Sequence, residues 1–499
     1  MESLAHFGEG FLIALRPINL LLVTGGVVLG TVVGMLPGIG PINAIALLLP
    51  VVFAVDLPAE SGLILLAGIY YGSMYGNSIS TILLNIPGTA SSVVTAVDGY
   101  AATQRGKGGP ALAISAIASF AGGTLSIAGL VLLAPMLAGW AIRFGPAEYF
   151  ALMVFALAVL SSLSGRTVRK GIISAAIGLL IASVGMDPNS AVPRFTFGQL
   201  RLYDGIDFVV VTLGLFAVGE VLRLLVATEP GSEAHHAVGR VMVSAKELAA
   251  SAWTIVRGTV TGFFTGVLPG AGATIATFLA YSLEQRISDR EGTFGKGDLR
   301  GVAAPESANN AASVGAMIPL LTLGVPGSGT TAVLLGALLG MGVVPGPLLL
   351  DRNPEVFWGV AASMVLGNIL LLALNLPLVG IFVRVLSIPR WILLPGVSAM
   401  TVVAVYSVNR SGFDIVLMAG FGVLGYVMLN ADFPLAPVIL GVVLGPLMER
   451  SLRRSLALSE GDWGVLFSSP IALAFWAAAI IGVAGPALGA LWNRRPGKA

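Results

Sequence analysis

The stretch Gly34-Met35-Leu36-Pro37-Gly38-Ile39-Gly40 returns as Gly266-Val267-Leu268-Pro269-Gly270-Ala271-Gly272, an offset of 232 residues (34 to 266). A second pair follows in the same order. Asn85-Ile86-Pro87-Gly88-Thr89-Ala90-Ser91-Ser92 aligns with Gly324-Val325-Pro326-Gly327-Ser328-Gly329-Thr330-Thr331, an offset of 239 (87 to 326). One recurring Pro-Gly pair means little in a chain with 28 prolines and 65 glycines. Two pairs in the same order at nearly equal offsets indicate duplication of a whole half.

The surroundings of these motifs are apolar. Of 499 residues, 56% are hydrophobic and 10% charged, against roughly a quarter charged in soluble proteins; mean hydropathy is +0.92. So few charges cannot cover a water-facing surface of this size, so most of it faces lipid. Runs near the roughly 20 residues that cross a bilayer recur at 18–36, 62–86, 111–142, 149–163, 171–186, 208–226, 356–383, 415–429 and 471–492. With the segments broken by Gly and Pro, roughly 11 to 14 membrane helices are expected, some of half length. Long unbroken runs exclude a transmembrane barrel, which would alternate over about 10 residues. The fold class expected is an all-α polytopic membrane protein of two repeated, inverted halves with broken helices or re-entrant hairpins at the midplane. The first half is read as 1–227, a polar linker as 228–250, the second half as 251–455, and an additional membrane helix and tail as 456–499. Basic clusters flank the last apparent span on both sides, so the positive-inside rule assigns no orientation.

Proline removes a helix hydrogen bond and glycine admits unusual backbone angles. At membrane depth, freed peptide groups cost several kcal/mol each unless they are satisfied, so such breaks belong in protein or around a polar cavity. The N-terminus of a half-helix offers bare N–H groups and partial positive charge to an anion, and matched breaks in two halves are the sequence mark of a transporter site. A single break is explained by packing alone; four in duplicated positions point to a site. The candidate substrate residues are Pro37, Gly38, Gly40, Asn85, Pro87, Gly88, Thr89, Ser91 and Ser92 in the first half. In the second they are Pro269, Gly270, Gly272, Thr274, Pro326, Gly327, Ser328, Thr330 and Thr331. The hydroxyls after each Pro-Gly are placed to cap the next helix or donate to a carboxylate. Asn77, Ser80, Glu306, Asn309 and Asn310 are the coupling-ion candidates, since an intramembrane carboxylate is a functional suspect. Asp98 and Tyr100, ahead of Arg105 and Lys107, read as loop or interface positions. Asp207 and Asp414, close to span starts, read as interfacial or helix-cap positions.

Enzymatic motifs are missing. No lysine precedes Ser or Thr as a phosphate-binding loop requires, and neither His-Glu-x-x-His nor Gly-x-Ser-x-Gly occurs. With no cysteine and 3 histidines, no metal site and no cofactor are expected. A net charge of +2 speaks against a nucleic-acid partner.

At GMLPGIGPINAIALLLP (34–50), YGSMYGNSISTILLNIPGTASSVVTAVDGY (71–100), 266–283, PESANNAASVGAMIPLLTLGVPGSG (305–329) and PLAPVILGVVLGPLMERSL (434–452) the sequence resembles the large permease subunit of the tripartite tricarboxylate transporters, the TctA family. The resemblance covers nearly the whole chain. It implies a bacterial inner-membrane system of three parts: this subunit, a small membrane subunit and a periplasmic solute-binding protein. It also implies import of citrate or related carboxylates driven by a Na+ or H+ gradient. Two other readings stand beside it, a stand-alone ion-coupled carrier for another solute and an ion channel.

Overall fold

The structure is a computed structural model that describes residues 2–36, 40–55, 57–163, 167–187, 189–226, 240–270, 272–385 and 390–492. The motif residues Pro37 and Gly38 and most of the expected linker fall outside them. The first half contains α1 (Glu2–Ala14), α2 (Pro17–Met35), α3 (Gly40–Ala54), α4 (Ala59–Leu84), α5 (Val93–Gln104, entered through a 3-10 turn at Ala90–Ser92), α6 (Gly108–Ala141), α7 (Pro146–Leu163) and α8 (Val168–Ala182). A two-stranded hairpin (Gly185–Met186 with Pro193–Arg194) leads to α9 (Phe208–Thr212), which runs through a π-helical stretch (Leu213–Val218) into α10 (Gly219–Val226).

The second half opens at α11 (Ala245–Val267), inside the segment read as linker, on a Ser244–Glu247 capping box. It continues with α12 (Gly272–Ser288), α13 (Leu299–Gly315), α14 (Met317–Leu323), α15 (Gly329–Gly340), α16 (Leu349–Arg352), α17 (Pro354–Asn375), α18 (Val379–Val385), α19 (Arg390–Asn409) and α20 (Gly412–Asn430). Then come α21 (Ala436–Leu458) and α22 (Pro470–Trp492). Among the described residues, 6 helices are long and apolar enough to cross a membrane, and four shorter apolar ones accompany them. This is an all-α multi-pass membrane protein. α4 is 26 residues long yet outside that set, because its Ser, Thr, Asn and Tyr residues lower its hydropathy; protein surrounds it from Ser61 to Leu83, and a helix not facing lipid can carry them.

The duplication is visible element by element. α2 and α3 recur as α11 and α12, α4 as α13 with α14, α5 as α15, and α6 as α17. The packing repeats too. α2 lies along α4 as α11 lies along α13, and α6 crosses onto α13 as α17 crosses onto α4. Small residues permit the first of these contacts. A Cβ at Gly26, Gly30 or Gly34 would stand under 3.0 Å from the carbonyl oxygen of Leu65, Ile69 or Ser73. At Gly258, Gly262 and Gly266 it would meet the Ala304, Ala308 and Ala312 carbonyls in the same way. In lipid, where the hydrophobic effect does not drive helix association, such backbone approach supplies the packing.

Outside the membrane, Arg453 and Arg194 tie the hairpin loop to α21 through Asp187 and Glu449, with Arg194 donating to Glu449 at 2.8 Å. The Arg453 guanidinium, with the Ser190 and Asn189 backbone N–H groups, holds the Asp187 carboxyl well below its usual range. A lowered acid stabilises the folded loop above the ordinary carboxylate range and loses that contribution as pH falls through its lowered value.

Two outcomes follow. Gly30→Leu and Gly262→Leu are expected to cost more than the ~1–3 kcal/mol typical of overpacking, read as loss of the monodisperse peak in detergent size-exclusion chromatography. Gly25→Leu, which points at open space, should behave as wild type. Asp187→Asn should raise limited proteolysis of the 187–205 segment at neutral pH, whereas the wild-type loop should yield only under strongly acidic conditions.

Candidate functional site

The four breaks have paired geometries. α2 ends in extended Leu36 (φ −79, ψ 119) and α11 in extended Leu268 (φ −75, ψ 120). The chain then enters α3 at Gly40 (φ +52) and α12 at Gly272 (φ +60). α4 closes on a left-handed residue, Asn85 (φ 57, ψ 28), and α14 on Gly324 (φ 69, ψ 25). Asn is among the few side chains tolerated there. The next helices both open on a capping box, Thr89 with Ser92 and Ser328 with Thr331. Each box satisfies donors that the break exposes.

All four turns meet. A cavity of about 400 Å³ is lined by Gly40, Gly88, Thr89 and Ser91 from the first half and by Gly270, Gly272, Thr274, Ser328 and Thr330 from the second. α3, the Ala90–α5 helix, α12 and α15 each begin at this wall, so four helix N-termini converge there. No charged side chain lies among the lining residues. Tyr70, Asn43, Met74 and Phe216 also line it, with Leu160 and Leu163 of α7. Tyr70, Met74 and Phe216 lie outside the Pro-Gly motifs, so motif spacing does not point to them, whereas Asn43 sits in the first turn after the first motif. Tyr70 and Ser328 share this wall, so a first-half side chain lies beside the second-half cap.

The other candidates lie behind the wall. Asn85 and Pro87 face a separate hollow along α5. Ser92 and Thr331 are buried in their capping boxes, Gly327 packs against the Gly266 carbonyl, and Pro269 and Pro326 are not among the cavity-lining residues. Of the coupling-ion candidates, Asn77 donates to Thr89 Oγ1 at 2.8 Å. Ser80 donates back to the Asn77 carbonyl at 3.3 Å, and Asn310 to the Glu306 carbonyl at 3.2 Å. Asn309 donates to the Met74 carbonyl at 3.4 Å. Glu306 is 1% exposed and accepts from Ser78 (2.5 Å), Thr95 (2.7 Å) and Ser119 (3.3 Å). The hydroxyls at 115 and 119, one helical turn apart in apolar α6, were a legible signal for that cluster.

Asp98 departs from its reading as a loop or interface residue. It sits in α5 with 0% exposure, held by the N–H groups of Gly297 (2.8 Å), Asp298 (2.9 Å) and Gly295 (3.0 Å) and by the Tyr281 hydroxyl (2.8 Å). It clamps α5 to α12 and to the loop that follows α12. Asp207 caps α9 as expected, accepting from Val209 N.

Two larger hollows, of about 870 and 700 Å³, lie at the far ends of α3 and α15. Phe53, Gly336, Leu339 and Gly340 line the first, with Arg194 and Arg450 at its rim. Arg352 and Arg454 border the second.

The family model described as "Tripartite tricarboxylate transporter TctA family" matches residues 20–440. An uncharacterised 52.8 kDa protein from the TAR-I ttuC′ 3′ region of Agrobacterium vitis is 43% identical over 483 residues, 96% of this chain and 95% of that protein. An uncharacterised protein from the TAR-II ttuC′ 3′ region of the same organism is 45% identical over 211 residues, 42% of this chain and 87% of that protein. No solved structure matches the chain.

Ser328→Ala is expected to remove the α15 cap and lower stability by about 1 kcal/mol, measured as a drop in thermal midpoint in detergent. Ser328→Thr, which keeps the hydroxyl, should restore most of it.

Proposed function

The chain belongs to the tripartite tricarboxylate transporter TctA family. From that premise we propose that it is the large permease subunit of a binding-protein-dependent secondary transporter in a bacterial inner membrane. It imports tricarboxylates or related organic carboxylates down a sodium or proton gradient, with a small membrane subunit and a periplasmic solute-binding protein as partners.

The observation that carries this reading is the convergence of four helix N-termini, two from each half, on one cavity whose described lining residues include no charged side chain. Each terminus presents roughly half a positive charge, so four supply on the order of two. A tricarboxylate then retains about one uncompensated negative charge, which a co-transported cation neutralises. The Thr89, Ser91, Ser328 and Thr330 hydroxyls are placed to donate to carboxylate oxygens. A cavity of about 400 Å³ suits a small organic acid, being near the lower end of the ~300–1,000 Å³ usual for ligand sites.

Carrier is favoured over channel by what separates the cavity from the larger hollows. α3 and α15 touch the cavity at their N-termini and the hollow at their C-termini, and between these ends Ile45, Leu49 and Val333–Leu335 are fully buried. Two openings divided by packed side chains fit alternating access around a midplane site.

The test is reconstitution with both partner subunits and a panel of carboxylates under separate sodium and proton gradients. Saturable, gradient-dependent uptake that needs all three components is expected. Full uptake without the binding protein would instead favour a stand-alone carrier, and unitary conductance a channel. Thr274→Trp, at an exposed position of the cavity wall, should lower carboxylate affinity by about tenfold or more, ~1.4 kcal/mol per decade, with the chromatographic profile unchanged. Gly88→Leu is a poorer probe, because a Cβ there already meets the Gly34 carbonyl.

A further inference from the structure

A buried carboxylate beside the cavity has no cation to answer it among the described residues. Glu306 projects from α13 of the second half, yet its hydroxyl partners come from the first: Ser78 on α4, Thr95 on α5 and Ser119 on α6. The repeat-related position on α4 is Ala67, so the carboxylate belongs to one half only. The neighbouring titratable group on α4 is Tyr75, whose hydroxyl donates to Asn368. α6 carries no titratable residue. On α5, Asp98 is closed by backbone N–H groups and Tyr281 of α12. Arg257 of α11 pairs with Glu284 of α12, and Arg300 of α13 with Asp298.

A hydrogen-bonded line joins this carboxyl group to the cavity wall. Ser78 Oγ stands 2.5 Å from Glu306 Oε2 and 3.3 Å from Asn77 Oδ1. Asn77 Nδ2 donates to Thr89 Oγ1 at 2.8 Å, and Thr89 lines the cavity. The serine has one proton to give and two acceptors competing for it. With Glu306 ionised, that proton goes to the carboxylate. With Glu306 protonated, the acid donates to Ser78, and the serine proton turns to Asn77. The amide, held at its oxygen, keeps its N–H on Thr89 Oγ1. Thr89 Oγ1, which also stands 2.9 Å from the cavity-lining Ser91 Oγ, then accepts from the amide and keeps its own proton for Ser91 or for a ligand in the cavity.

We propose that Glu306 is the proton-binding site of the transport cycle, coupled to carboxylate binding through Ser78, Asn77 and Thr89. The proton comes from solvent and adds to the carboxylate oxygen; no other bond is made or broken. Three hydroxyl groups and no ion-pair partner among the described residues surround this carboxyl, so one added proton reverses the hydrogen bond to Ser78 and reorders the line. The ligand is a proton and not a metal ion, because direct hydroxyl contacts at 2.5 and 2.7 Å leave no seat between the oxygens. Coupling is reciprocal: protonation favours carboxylate binding, and bound carboxylate favours protonation. Ser78 and Asn77 are positioning residues in this scheme. The inference rests on the cavity being the carboxylate site.

The experiment is calorimetric titration of citrate into the detergent-purified chain, in buffers of differing ionisation enthalpy across a pH series. Wild type should take up about one proton per carboxylate bound, and its affinity should fall as pH rises. Glu306→Gln, a neutral isostere, should bind with no proton uptake and no such pH dependence. Asn77→Leu should still bind but with weakened linkage. A pH dependence and proton uptake surviving in Glu306→Gln would overturn the proposal. Acid-minus-neutral infrared difference spectra without citrate give a second readout: a protonated-carboxyl band present in wild type and lost in Glu306→Gln is expected, and an unchanged band also overturns it. If wild type binds no carboxylate at all, the cavity reading itself fails, a result separable from binding without proton uptake.

Discussion

Peptide groups cannot be left bare inside a membrane, and this requirement organises the molecule. Each helix break frees N–H and C=O groups that neither lipid nor apolar side chains can satisfy. The structure answers in the same way twice. Left-handed Asn85 and Gly324 close the ends of α4 and α14, and the Thr89–Ser92 and Ser328–Thr331 boxes cap the helices that follow. Gly270 N donates to the Gly327 carbonyl at 3.0 Å, tying two second-half breaks together. The donors that remain at the four helix starts face a shared hollow. The site is thus what is left when the other breakage has been repaired.

Backbone symmetry and side-chain asymmetry divide the work. The glycine stripes of α2 and α11 hold matching carbonyls at matching offsets, so the two halves are built on one plan. The ionisable groups do not follow it. Glu306 faces Ala67 across the repeat, and Asp98 has Ala337 as its counterpart. The duplicated frame makes a cavity approachable from both halves, while single-copy polar residues differentiate the two sides.

Much of this was legible in the chain. Low charge and long apolar runs gave the all-α membrane class, and the repeated Pro-Gly motifs led to the four turns that line the cavity. The rest escaped for physical reasons. The polar residues of α4 and α13 stood out in the chain, but their pairing did not: Glu306 meets Ser78, Thr95 and Ser119 of the other half, which no local spacing encodes. Asp98 precedes a basic, glycine-rich turn and looks solvated. Its true partners are N–H groups almost 200 residues away, which no local pattern encodes. Asn85 and Pro87 share a motif with Thr89 but point to the far side of the turn, since a sharp break sends neighbours in opposite directions.

The Asp98 clamp has an energetic consequence. It bolts α5 to α12 and its following loop with four hydrogen bonds to one carboxylate, each worth roughly 1.5–3 kcal/mol for a charged partner. The equivalent leaf, α3 against α15, has alanine where the bolt would be. Prising the first leaf open therefore demands work that the second does not. At the α3–α15 pair, beside the hollow lined by Phe53, Gly336 and Gly340, no buried carboxylate adds to the cost of separation.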